Sequence, residues 1–179
     1  FPAAHTQAAN AVTTTLRYAR RLEDQEGNQH QIEAGYNLRA ATNTFDSDFV
    51  YSRHAIRAEY ACRWRRQKVD VAFDAGLISG RAPLFERFSL GNAATLRGWD
   101  KLEINPLGAT RMVHGSLGYE YRIFQIFYDT GSAWDKGTNA VVRHSIGIGF
   151  GSRDGFFLAL AFPIRDGRAA PMFMTGVAF

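Results

Sequence analysis

Along the segment "VHGSLGYEYRI", His114, Ser116 and Glu120 have the residue types of a serine–histidine–acid set. Such a set works because the histidine takes the serine hydroxyl proton while the acid orients the imidazole. That chemistry needs side chains that converge, and residues two and four apart on one strand stand in a row instead. A polar network is therefore the expectation here, and no catalytic residue is assigned. No G-x-S-x-G, P-loop or zinc-ligand spacing occurs, and the five histidines are scattered. Acidic side chains could hold a cation, but the many arginines near them favour internal salt bridges. Neither a metal nor a cofactor is expected.

A second set of chemistry-bearing residues lies in "GNAATLRGWDKLEINPLGATR", from Gly91 to Arg111, which breaks the alternation on either side of it. Its centre holds Arg97, Gly98 and Trp99. Two acids follow, Glu120 and Asp129. In the strand pattern Glu120 shares the polar face of its segment with His114 and Arg122, and Asp129 shares a face with Gln125, Phe127 and Gly131. Two carboxylates on the inner side of a sheet are costly unless a cation meets them. An arginine offers a planar fork of donors for that purpose. Gly98 would let the chain turn tightly beside it, and Trp99 could wedge against the wall.

The elements that must position these groups are strands. In "VDVAFDAGL", Val69, Val71, Phe73, Ala75 and Leu77 alternate with Asp70, Ala72, Asp74 and Gly76. In "SIGIGFG", Ile146, Ile148 and Phe150 alternate with glycines, and the period of two recurs in "IEAGYNLRA", "FFLALAF" and "MFMTGVAF". The segment from Phe49 to Arg66 puts Arg53, Arg57, Glu59, Arg63 and Arg65 on one face. No helical period appears. Nine candidate strands can be drawn at 11–22, 30–42, 49–66, 68–78, 112–123, 125–134, 142–151, 156–164 and 172–179. Antiparallel closure wants an even number, so eight strands is the first expectation and ten the second. The segment at 11–22 is the weakest, because Arg20 interrupts its apolar face; either it is incomplete, or another strand is split or missed.

Several of these segments run nine residues or more, which is the length a tilted strand needs to cross a bilayer. Their apolar faces carry aromatics toward the ends (Tyr18, Tyr51, Trp64, Tyr119, Tyr128, Trp134), as a membrane-interface girdle would. Their polar faces carry glycine, small and charged residues, which suits the crowded interior of a small barrel. A soluble sandwich or lipocalin-like barrel is the competing architecture. No run of about eighteen apolar residues occurs, so no transmembrane helix is expected. The net charge of +4 comes from basic residues spread without a motif, so nucleic-acid binding is not expected. The single Cys62 excludes an internal disulfide. The chain of 179 residues opens on Phe1, which points to a processed protein or an excised piece, and reads as one domain over 1–179.

The segments "FERFSLGNAATLRGWD" and "GYEYRIFQIFYDTGSAWD" resemble the barrel of the BamA/TamA superfamily, often labelled bacterial surface antigen. In that family the longest extracellular loop carries an Arg-Gly-aromatic motif, matched by Arg97, Gly98 and Trp99. A strand with Glu-Tyr-Arg is matched by Glu120, Tyr121 and Arg122, and Phe-x-Asp-x-Gly is matched by Phe127, Asp129 and Gly131. The terminal Phe179 resembles the C-terminal signature of outer-membrane barrels.

The resemblance implies an antiparallel transmembrane β-barrel in a Gram-negative outer membrane, with the loop at about 80–111 folded inward. Arg97 would there reach Glu120 and Asp129. It implies a non-enzymatic role in protein assembly or translocation, with the lipid bilayer and client outer-membrane or secreted polypeptides as partners; a homo-oligomer is left open, since the sequence does not give the oligomeric state. The family usually has about sixteen strands preceded by POTRA domains. Neither those domains nor a patatin-type domain is readable here, and about half a barrel is. The alternative reading is a non-catalytic structural or adhesion barrel.

Overall fold

The computed structural model describes residues 7–92, 95–151, 156–165, 168–169 and 171–177. Most of them belong to one antiparallel sheet. Its strands are β1 (Val12–Glu23), β2 (Gln29–Ala41), β3 (Val50–Trp64), β4 (Gln67–Arg81), β5 (Arg111–Tyr121), β6 (Phe124–Trp134), β7 (Arg143–Gly151), β8 (Phe156–Arg165), β9 (Arg168–Ala169) and β10 (Met172–Val177). Neighbours in sequence are neighbours in space from β1 to β8, and β10 then pairs with β8. The two-residue β9 only extends the β8 hairpin.

The nine expected strands are all present, one more than the preferred eight and within the range of eight to ten. β1 is a complete strand that pairs residue for residue with β2 from Val12 to Glu23. Arg20 does not break it, because a strand's hydrogen bonds come from the backbone and an edge strand tolerates one charged side chain. Nine strands in antiparallel succession leave β1 and β10 running in the same direction. Among the described residues no pairing joins these two edges, so the sheet is open. Phe179 lies outside the described residues.

The register fixes two faces of opposite character. The outer face carries Leu16, Ile56, Val71, Leu117, Ile126 and Ile146, each about half exposed. The inner face carries the charges, and its rows run straight across the sheet. Arg57 aligns with Asp74, Asp74 with His114, and His114 with Gly131. One row nearer the short turns, Glu59, Ala72, Ser116, Asp129 and Ser145 align in the same way. Tyr51, expected among the outer aromatics, is corrected to the inner face. It is buried there with Ala41, Ile78 and Phe88, because it is two residues from Arg53 on the same side of β3.

Short turns join the strands at one end, and the longer connections lie at the other. The β1–β2 turn is closed by Asp24, whose carboxylate accepts hydrogen bonds from the backbone N–H groups of Glu26 and Asn28 and from the Asn28 side chain. The Asn28 side chain contributes most to holding this carboxyl down to about 2. A group depressed in this way stabilises the folded turn above the ordinary carboxylate range and loses that contribution as the pH falls toward 2. Amide exchange of Glu26 and Asn28 is therefore expected to stay slow down to about pH 4 and to accelerate below it. An Asp24→Asn protein should show no such acid transition.

Candidate functional site

The connection from β4 to β5 folds back over the inner face at the end away from the short turns. A single turn of 3-10 helix at Leu84–Glu86, a bridge between Phe88 and Ala109, and the four-residue helix α1 (Lys101–Ile104) give it shape. Asp100 caps α1 by accepting from the Leu102 backbone N–H at 2.8 Å. Leu90, Leu96 and Trp99 of the connection bury themselves against Ala109 and against Ala133 of β6. This cluster and the one around Phe88 are the apolar core at that end, and most of their large side chains come from the connection.

Arg97 holds the centre. Its Nε donates to Asp129 Oδ2 at 2.7 Å, and its Nη2 donates to Oδ1 at 2.7 Å. Its own backbone N–H adds a third bond to Oδ2 at 3.1 Å. Ser116 completes the set, donating its hydroxyl proton to Asp129 Oδ1 and accepting from Arg97 Nη2. Asp129 is completely buried. A carboxylate in that position is tolerable only because every donor around it is placed beforehand. The guanidinium also lies over the Phe127 ring, 3.6 Å from its centroid, so one face of the cation is covered.

Gly98 and Trp99 follow from the same geometry. Gly98 has φ of +86°, and a Cβ there would sit 2.9 Å from Ala161 Cβ and 3.1 Å from Pro163 Cδ. Only glycine brings the loop backbone this close to β8. The Trp99 indole N–H donates to the His144 carbonyl at 3.0 Å, and the guanidinium groups of Arg143 and Arg165 lie over its ring. Gly131 packs under Leu90, with 3.1 Å between Leu90 Cδ2 and the position a Cβ would take.

Glu120 is not brought to Arg97. It is on the inner face as parity requires, but it pairs across to Gln125, whereas the residue opposite Asp129 is Ser116. Four residues of extended strand separate Glu120 from Ser116, roughly 13 Å. The side chain joining Arg97 and Asp129 is thus a serine. The expected serine–histidine–acid row is a polar network: Ser116 gives its proton to Asp129, and His114 Nδ1 faces Asp74 at 3.1 Å.

A second ionic group was not legible in the sequence. Glu86, nearly buried, meets Arg39 at 3.0 Å and Arg53 at 3.9 Å, and its carbonyl accepts from Arg53 Nε. Arg53 in turn lies over Phe88. Arg39 and Arg53 stand on one inward row of β2 and β3, a signal the alternation carries. Glu86 sits in an irregular segment, where alternation says nothing about direction. A Glu86→Ala substitution is expected to cost about 1.5–3 kcal/mol, the worth of hydrogen bonds to charged groups, read as a shift in urea midpoint. Among the described residues no group of three or more metal-ligating side chains occurs.

The sequence profile of the Omp85 superfamily domain matches residues 9–164. No match to a curated protein was found. Members of that superfamily are outer-membrane proteins of Gram-negative bacteria. The matched stretch takes in β1 through most of β8, the folded connection and both halves of the Arg97–Asp129 clamp, and the chain belongs to the Omp85 superfamily.

Proposed function

We propose that this chain forms the wall of a transmembrane β-barrel in a Gram-negative outer membrane and takes part in the assembly or translocation of outer-membrane or secreted polypeptides. The observation that carries the reading is the inverted distribution of side chains. The outward face is apolar and exposed over its whole width, while the charges and the folded connection occupy the inward face. Exposed apolar surface on that scale needs a non-aqueous neighbour, and strands of eleven to fifteen residues, as in β1 to β6, suffice to cross a bilayer. Closure then takes either further strands between the β1 and β10 edges or a parallel seam, since these two edges cannot pair antiparallel with each other.

Superfamily membership supports the polypeptide-handling role. The role requires that the protein move or insert a chain across or into a membrane. Vesicles carrying the purified protein should therefore speed insertion of an unfolded outer-membrane protein, or pass single-channel current. One observation favours a second reading, a closed barrel with a structural or adhesive role: the connection between β4 and β5 is packed against the interior and clamped there. Vesicles that stay electrically silent and leave client insertion at its spontaneous rate would favour that reading over the first.

A further inference from the structure

At the short-turn end, away from the clamp, the inner face opens into a cavity of about 810 Å³. Its wall holds five cations, Arg63, Arg65, Arg66, Lys68 and Arg122, against the single carboxylate of Glu120. The fold gathers them by two devices. The register lines up Arg63 with Lys68, Lys68 with Glu120, and Glu120 with Gln125 across four strands. The β3–β4 and β5–β6 turns are also tied together, since Arg122 N–H donates to the Arg66 carbonyl at 2.9 Å. Arg65 and Arg122 both have positive φ, 52° and 58°, so each turn places an arginine where glycine or asparagine is the usual choice.

Most of these charges find no carboxylate among the described residues. Among the described residues Lys68 alone of the five has an ion-pair partner, Asp70 at 3.4 Å. Arg122 lies near the Tyr121 ring, and Arg63, Arg65 and Arg66 have no side-chain partner among the described residues. Elsewhere on the inner face several arginines are spent on carboxylates: Arg97 on Asp129, Arg39 and Arg53 on Glu86, Arg57 on Glu59 and Asp74. A concentration of unpaired guanidinium groups on one rim creates a positive field that draws in anions.

We propose that this rim is a docking site for an acidic polypeptide segment entering or resting at the short-turn mouth. Three observations select a polypeptide. The cavity is larger than a single phosphate or carboxylate needs and suits a few residues of extended chain. Gln125 and Glu120 stand among the cations and can hydrogen-bond a backbone, which a simple ion lacks. The inward placement of Arg63 and Lys68 also turns them away from the outer perimeter. There the same stretch of sheet shows Cys62, Val69, Tyr119 and Ile126, so a lipid headgroup would meet an apolar belt. This last point rests on the membrane-barrel reading above. The proposal goes beyond that reading by naming where a chain would be held and what charge it would carry.

The test is binding of a fluorescent oligo-glutamate peptide to the full chain, read by anisotropy, both in nonionic detergent and in phosphatidylcholine vesicles. Flotation of the vesicles reports separately whether the protein enters a bilayer, so failure of the membrane reading is visible without affecting the detergent measurement. Binding should weaken by about tenfold or more at high salt and be absent for oligo-lysine. The triple variant Arg63→Gln, Arg65→Asn, Arg122→Asn should lose about tenfold or more in affinity, because asparagine keeps the positive-φ turns while removing the charge. Arg111→Gln, at the opposite end of β5, should bind like the parent. Equal affinity of the triple variant and the parent overturns the proposal. So does displacement of the peptide by inorganic phosphate with no dependence on peptide length, which marks an ion site. Binding that appears only when phosphatidylglycerol is added to the vesicles overturns it as well, since the rim would then hold lipid headgroups.

Discussion

Replacing Arg97 by alanine should lower the stability of the folded sheet by about 3–5 kcal/mol and free the β4–β5 connection to proteases. The magnitude is that of breaking a buried ion pair by removing one partner. Asp129 has no exposure to water and takes two of its hydrogen bonds from the Arg97 side chain. After the substitution only the Arg97 backbone N–H and the Ser116 hydroxyl remain to it, and the backbone N–H leaves if the loop moves. Arg97→Lys should recover part of the loss, because a lysine supplies charge without the planar fork. Pairing Arg97→Ala with Asp129→Leu should also recover part of it, since the stranded charge is then gone. Urea midpoints from the heat-modifiable gel shift, with limited proteolysis of the connection, measure both quantities. Unchanged midpoint and unchanged protection in Arg97→Ala would show that the clamp does not hold the loop.

The second large effect is expected at Gly147, which has no charge and no hydrogen-bonding side chain. A Cβ at this position would overlap Cζ and Cε1 of Phe127 and come within 2.6 Å of the Leu160 carbonyl. The ring cannot retreat freely, because one of its faces carries the Arg97 guanidinium at 3.6 Å. Gly147→Ala should therefore destabilise by about 1–3 kcal/mol, the usual penalty for forcing volume into a packed site. Gly149→Ala is the control, since its nearest atoms stand 3.3 Å and more away. A double-mutant cycle sharpens the point. With alanine at position 97 the ring has room to shift, so Gly147→Ala should cost less in that background than in the parent. Additive costs would separate Gly147 from the clamp and reduce it to a local packing residue.

Much of this was legible beforehand. The period of two located every main strand within a few residues, because a strand alternates sides regardless of what it packs against. The inward direction of Asp129, Ser116 and Glu120 followed from the same parity, as did the outward belt of Ile146, Ile148 and Phe150. The preference for eight strands over nine came from β1, where one outward arginine was given more weight than twelve residues of pairing. Tyr51 was misplaced because its aromatic character was read ahead of its parity with Arg53.

What alternation cannot supply is position along the strand relative to its neighbour, since parity is unchanged by a slip of two. Glu120 and Ser116 have the same parity, and either could have met Arg97. Only the register, which puts Ser116 opposite Asp129, decided between them. Irregular backbone hides direction altogether, which is why Glu86 and its two arginines emerged only once the connection was seen folded against β2 and β3. The sequence by itself determined an all-β chain with an apolar outside and a charged inside, because those follow from a two-residue period. The tertiary structure alone decided which charges meet and which, at the short-turn rim, are left without a partner among the described residues, because that depends on inter-strand register and on the path of the folded connection.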